Sequence, residues 1–360
     1  MDIEKIRQVM DNFSTVYKML EDEISRDIYI HRLNWLVTRD IKNINYIVDK
    51  YIPDLKKVGT IKDLFDNLPR NKNFILYGAG NIGKVFLRYI ENQEKTENFV
   101  GFCDRNQDKQ KNGFHGYKVL SPEELFKNYA DELIIITSID FTKEIFDILI
   151  KNNIPEKNII FGNEYIMQVD KNQYFGVEFI KFEEDEVLID AGCKNLESTI
   201  AFLEFCPNLR KVFAFEPDLL NFNDCIESKS HFKNDVEVNV YQLGTWSERT
   251  KLYFNAKGDG TSKVSEDGDV TIDVVSIDEI VKDDKVTFIK MDVEGAELES
   301  LIGAKNTIIK NRPKLAICIY HKPEDMITIP MYIKSLVPEY KLYVRHHSNR
   351  PGETVLYAIL

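Results

Sequence analysis

Apolar positions change their period twice along the chain. From Val16 to Leu36 the residues Val16, Met19, Leu20 and Ile24, then Ile28, Ile30, Leu33 and Leu36, recur mostly three or four apart, the spacing of one helix face. The run VGTIKDLFDNLPRNKNF, with Pro69 among polar residues, breaks that spacing, so a helical segment is expected over residues 1–70. Short apolar runs then take over: FILY from Phe74, FVGFC ending before Asp104, and ELIIITS ending near Ser138. Between them lie the helical patterns KVFLRYIEN and FTKEIFDILIKNNI, and NIIFG closes the stretch near Gly162. Strands alternating with helices imply a parallel sheet with helical crossovers, here a small unit over 71–165.

After a polar connector around 169–181 a third stretch offers seven strands: EVLIDAG, KVFAFEP, VEVNVYQLG, VTFIKMD, KLAICIY, KLYVRHH and TVLYAIL. Helical patterns follow the first (STIAFLEF), the second (LLNFNDCIES) and the fourth (AELESLIGAKNTII). Between Gly244 and Asp278 the pattern instead suggests an antiparallel excursion with a glycine-rich tip, GDGTSKVSEDGD. That tip reads either as an acceptor-binding flap or as a plain solvated hairpin.

Charge and cysteines narrow the function classes. A net charge of -12 and the lack of a basic stripe oppose a nucleic-acid partner. No apolar stretch approaches the roughly 20 residues that span a bilayer, so no membrane span is expected. The five cysteines form no CxxC pair, and MDIEKIRQVMDNF lacks the apolar core of a signal peptide. The expectation is a cytoplasmic protein with free thiols.

In an open parallel sheet, ligands sit beyond the carboxyl ends of the strands. The polar residues falling there in the third stretch are Asp190 and Gly192, then Glu216, then Gly244 and Trp246, then Asp292 and Glu294, and then His321. One such residue means little; a succession of strands ending this way points to a site. Glu216, ending the second strand, stands where an acid accepts ribose hydroxyls. The bland reading is a solvated acid at a helix start. Trp246 is either an adenine-stacking ring or a core tryptophan, and His346 and His347 alternate on a strand, so at most one faces the site.

DAGCKNLEST, VFAFEPD, TIDVVSIDEI and above all FIKMDVEGAELESLIGA resemble the FkbM-type S-adenosylmethionine (SAM) dependent methyltransferases over residues 180–360. The resemblance implies a class I methyltransferase fold: a Rossmann-like, mostly parallel seven-stranded sheet with an antiparallel final strand. It also implies O-methylation of small molecules, often sugars in surface glycans. Carried over by position, Asp190 and Gly192 belong to the SAM loop, Glu216 to the ribose contact, and Asp292 and Glu294 to the active-site end of the fourth strand. The loop departs from the family at Leu196, where a glycine is usual, and a Leu there threatens the methionine end of the cofactor. Asn195, Glu197 and Ser198 remain to bind a zwitterionic amino acid.

A sugar hydroxyl needs a base as the new bond forms. His321 is the first choice because histidine titrates near neutrality, with Glu294 second; the bland reading of His321 is a cap on the turn at Lys322-Pro323. Asp292, Glu294 and His321 also suit a divalent cation, although their spacing does not require a metal and none is assigned. In the 71–165 unit, Gly78, Gly80 and Gly83 follow a strand and precede a helix, and Asp104 ends the next strand, as in a dinucleotide fingerprint. This unit resembles small Rossmann-like domains attached to bacterial nucleotide-sugar enzymes. Its glycines either hold a nucleotide or only serve helix–strand packing.

The leading expectation is therefore a SAM-dependent O-methyltransferase acting on a sugar or nucleotide-sugar precursor of a capsule or other surface polysaccharide. The alternative is a catalytically weak nucleotide-sugar-binding or regulatory protein of a glycan pathway. An NAD-linked sugar enzyme lacks support, since no YxxxK pair follows GAGNIG within its unit. The helical N-terminus is read as a dimerisation element or a lid, so a homo-oligomer is among the expectations.

Overall fold

The computed structural model describes residues 12–53, 55, 60–69, 72–93, 95–138, 141–166, 169–233, 235–255, 263–264 and 270–360. They form two compact units, Asp54–Gln168 and a larger one joining the chain up to Pro53 with Val169–Leu360. The segment 1–70 is thus divided between them.

The smaller unit is a five-stranded parallel sheet of β1 (Phe74–Tyr77), β2 (Phe99–Cys103), β3 (Val119–Leu120), β4 (Leu133–Ile136) and β5 (Ile159–Phe161), in the order β3-β2-β1-β4-β5. All four residues of β1 and of β4 are buried, as central parallel strands require. The run that breaks the helical period before Phe74 contains a short helix, Ile61–Asn67. Thr60 and Asp63 close a reciprocal capping box at its start, and Leu64 and Phe65 pack on the sheet. Gly83, in the first turn of the crossover helix Asn81–Asn92, lets the helix lie close to the loop, since a Cβ there would stand 2.3 Å from the Gly78 carbonyl oxygen.

The larger unit contains β6 (Val187–Ala191), β7 (Lys211–Phe215), β8 (Glu237–Tyr241), β9 (Gly244–Thr245), β10 (Thr250–Asn255), β11 (Lys263–Val264), β12 (Val270–Val275), β13 (Phe288–Met291), β14 (Lys314–Cys318), β15 (Lys341–His346) and β16 (Thr354–Ile359). Seven of them form one sheet in the order β15-β16-β14-β13-β6-β7-β8, in which only β16 runs against its neighbours. This is the class I methyltransferase order, with strand order reversing at β6. Phe175, Phe202 and Phe288 pack together in its core, Phe175 edge to face on Phe202.

The sequence run VEVNVYQLG does not stay one strand. β8 ends at Tyr241 on the edge of the main sheet, whereas β9 joins a second sheet, β11-β10-β12-β9. That sheet is the expected antiparallel excursion. Most of the GDGTSKVSEDGD tip, read as a flap, lies outside the described residues.

The N-terminal helices of the larger unit lean on β15. Glu21 N–H donates to the Leu342 carbonyl, Val344 N–H to Ser25 Oγ, and the Arg345 guanidinium to Asp22 and Ser25. Buried Tyr29 donates its hydroxyl to the Met326 carbonyl. None of the described helices is long and apolar enough to cross a membrane.

Candidate functional site

The turn after β6 is built around a buried ion pair. Asp190 is fully buried; it accepts from Ser198 Oγ and Thr199 Oγ1 and pairs with Lys290 Nζ at 2.9 Å. Burial works to lower the Lys290 ammonium, yet Asp190 and Asp292 outweigh it and hold it above its ordinary range. Lys290 also donates to the Gly192 carbonyl, which ties β13 to the loop. Gly192 must be glycine: its φ is 77°, and a Cβ would stand 1.9 Å from the Asp292 carbonyl oxygen.

Beyond these strand ends lies a hollow that opens to solvent. Of the residues singled out in the sequence, Gly192, Glu216, Gly244, Trp246, Asp292 and Glu294 line it. Lys194, Asn221, Ile272 and Val274 line it as well and were not singled out. Glu216 Oε2 accepts from Lys194 N–H and Oε1 from Asp218 N–H, each at 2.9 Å. Burial pushes its carboxyl up to about 7 despite those bonds.

Asp190, Asn195, Glu197, Ser198 and His321 do not line the hollow. Asp190 is sealed under the loop. Asn195 turns its carbonyl oxygen back to Glu197 N–H, and Glu197 is exposed at the start of its helix. Leu196, with φ 65°, sends its side chain into the core beside Phe202 and is fully buried, so it does not crowd the hollow. His346 and His347 are both buried and held by Thr354, and by Asp170 and Tyr357, respectively.

On the other wall Asp292 follows β13, and Glu294 and Gly295 take left-handed angles, φ 53° and 96°. A non-glycine residue there carries strain of about 1 kcal/mol or more. His321, after β14, approaches both acids: Nε2 is 3.4 Å from Asp292 Oδ1 and 3.7 Å from Glu294 Oε2. Its Nδ1 contacts Oε1 of Glu297, a fully buried residue, at 2.7 Å. Burial alone would lower the imidazole; the Glu297 bond and the neighbouring acids push it up to about 9. Burial likewise pushes Glu294 up to about 7, while Lys290 and His321 outweigh burial at Asp292 and keep it low. Tyr174 donates to Asp292 Oδ2 at 2.9 Å, and Tyr320 bridges Asp292 to Glu353. Glu297 was missed in the sequence. Its signal was an acid three residues after Glu294, on the buried face of the helix Glu297–Gly303.

In the smaller unit, Asp104 accepts from Ala79 N–H and Asn106 N–H, much as Glu216 does from Lys194 and Asp218. A Cβ at Gly78 would lie 2.6 Å from the Thr137 carbonyl oxygen, whereas Gly80 has open space around it. Two of the three fingerprint glycines therefore meet packing demands.

Residues 182–350 match the model of the methyltransferase FkbM domain, and residues 70–160 that of the C2185-like N-terminal domain. The hexuronic acid methyltransferase AglP of Haloferax volcanii is 35% identical over 134 residues, which span 35% of this chain and 53% of that protein. The chain thus matches only about half the length of that relative. Among solved structures, the methyltransferase FkbM of Methylobacillus flagellatus KT is similar at 20% identity and a TM-score of 0.48, over 93% of this chain and 99% of that one. The precorrin-6y C5,15-methyltransferase of Geobacter metallireducens GS-15 gives 12% identity and a TM-score of 0.32, over 50% of this chain and 82% of that one. Residues 182–350 carry an FkbM-type methyltransferase domain.

Proposed function

We propose that the larger unit is a SAM-dependent O-methyltransferase whose acceptor is a sugar hydroxyl, with hexuronic acids the first class to test. The acceptor would be a small sugar or nucleotide-sugar precursor of a surface glycan. The observation that carries the reading is that Glu216 and the Asp292–Glu294 pair line one hollow beyond the carboxyl ends of β7 and β13. The FkbM domain supports the reaction class, and the hexuronic acid methyltransferase relative supports the acceptor class.

The residues present fit an adenosyl group. The Glu216 carboxylate takes backbone N–H bonds from Lys194 and Asp218 and a side-chain bond from Asn221, and as a carboxylate it keeps acceptor capacity toward the hollow for ribose. Trp246, Ile272 and Val274 give the hollow an apolar wall suited to a purine. When bound, SAM supplies a methyl group made electrophilic by its sulfonium. The chain's own task is to align an acceptor oxygen and to take its proton, an orientation effect worth several kcal/mol. Glu294, half-buried and turned into the hollow by its left-handed backbone, takes that proton. His321, fixed by Glu297, is a positioning residue for the two acids, a different task from the base its strand-end place suggested.

Incubation of the full chain with SAM and separate nucleotide-activated hexuronates and neutral hexoses, read by mass spectrometry, tests the reading. A hexuronate gaining one methyl is the expected product. Turnover confined to neutral hexoses would overturn the acceptor class, and no methylated product from any sugar would overturn the function.

A further inference from the structure

We infer that Asp292, Glu294 and His321 bind a divalent cation of the Mg²⁺/Mn²⁺ class, Glu294 giving Oε2 to the cation and keeping Oε1 for the acceptor proton, and that the cation would hold two neighbouring oxygens of the acceptor. The inference rests on reading the hollow as a methyl-transfer site, since the cation's place is set by residues of its wall.

Carboxylates alone would not make a site. The independent observation is the imidazole: the His321 side chain is only 9% exposed, and its Nε2 is buried with no hydrogen-bond partner among the described residues. That nitrogen faces Asp292 Oδ1 and Glu294 Oε2 at 3.4 and 3.7 Å. A charge-assisted N–H···O bond closes to about 2.8 Å, so neither contact is one. The three ligand atoms lie within 4.8 Å of one another. Around a cation with bonds of about 2.1 Å, adjacent ligand atoms stand about 3.0 Å apart and opposite ones about 4.2 Å, so the gap is nearly that of a coordination shell.

The surroundings are those of ligands held in place. His321 Nδ1 is bonded to buried Glu297, leaving Nε2 to face the acids; cation binding there displaces the Nε2 proton to solvent, and a carboxylate behind a ligating imidazole fixes its orientation. Tyr174 and Tyr320 orient Asp292 in the same way. Oxygen donors with one imidazole suit Mn²⁺ or Mg²⁺, and three protein ligands leave positions open. A sugar presenting a hydroxyl beside a second hydroxyl or a carboxylate would chelate there.

The test is electron paramagnetic resonance of Mn²⁺ added to chelator-treated, dialysed full chain, with S-adenosylhomocysteine (SAH) affinity measured separately by calorimetry. Expected is one Mn²⁺ per chain, released by excess Mg²⁺. His321→Asn and Glu294→Gln should each weaken it at least tenfold, and Glu297→Gln about tenfold through the imidazole. Circular dichroism checks each variant's fold, and Glu294→Gln, in a surface turn, serves if His321→Asn fails to fold. No Mn²⁺ bound by the parent, or unchanged affinity in both Glu294→Gln and folded His321→Asn, would overturn the site. SAH binding without Mn²⁺ removes the cation alone; Mn²⁺ binding without SAH removes the cofactor reading instead.

Discussion

Glu216 joins the loop to the hollow through one carboxylate, and burial raises that carboxyl to about 7. A folded-state value above the ordinary one of about 4.3 means that folding favours the protonated form. The stability it contributes is therefore present below about pH 4 and is lost as pH rises through about 7. Ligand binding runs the other way, since the carboxylate is the form that accepts two ribose hydroxyls. SAH affinity is therefore expected to fall several-fold between about pH 8 and about pH 6. Calorimetry at the two values checks this, and Glu216→Gln should flatten the difference; a parent as flat as the variant would show that this group does not meet the ribose. That Glu216, Asp292 and Glu294 gather at one crevice was legible because they follow strand ends, and all three line the hollow. The place of Leu196 was not, because a left-handed backbone angle, invisible in the residue type, turns its side chain from the hollow into the core.

At the level of elements, alternation of apolar runs with helical periods exposed the parallel strands, and their polar ends exposed the crevice. What the pattern hid was where the chain changes partner. VEVNVYQLG has one continuous β period, yet only Glu237–Tyr241 pairs with β7, and Gly244–Thr245 pairs with β12. Pairing of that kind is set by distant residues: Gly303 lets the Trp246 carbonyl approach to where a Cβ would stand 1.9 Å away. The N-terminal helices were read as helices, but their docking on β15 was not, and one buried cation takes part in it. Arg345 bonds Asp22 and Glu178, each at 2.7 Å. Burial works to raise both carboxyls and Arg345 outweighs it, so both sit below their ordinary range. Their contribution is present above about pH 4 and is lost as pH falls through the lower folded values. Asp22→Ala should cost about 1–2 kcal/mol at neutral pH, less than a fully buried pair because Glu178 remains. Urea unfolding measures it; an unchanged midpoint would mean that the pair does not fasten the helices.

In the whole molecule, two α/β units use the same device at the turn from first strand to helix, an acid at the end of the second strand accepting a loop N–H. In the larger unit that acid lines a hollow shared with a second acidic cluster. The class of both units was readable from strand and helix periods, whereas the split of the first 70 residues was not, because helix periodicity says nothing about which sheet a helix covers. Glu294, Glu297 and Glu353 outnumber Lys290 and His321 around Asp292, so an anionic hexuronate is expected to bind there together with the divalent cation. The most direct measurement is calorimetric titration of the full chain with SAH, for the parent and for Glu216→Ala. Expected are one site per chain in the parent and at least tenfold weaker binding in the variant; a parent that binds no SAH, or a variant that binds it equally well, would contradict the assignment of the hollow to an adenosyl cofactor.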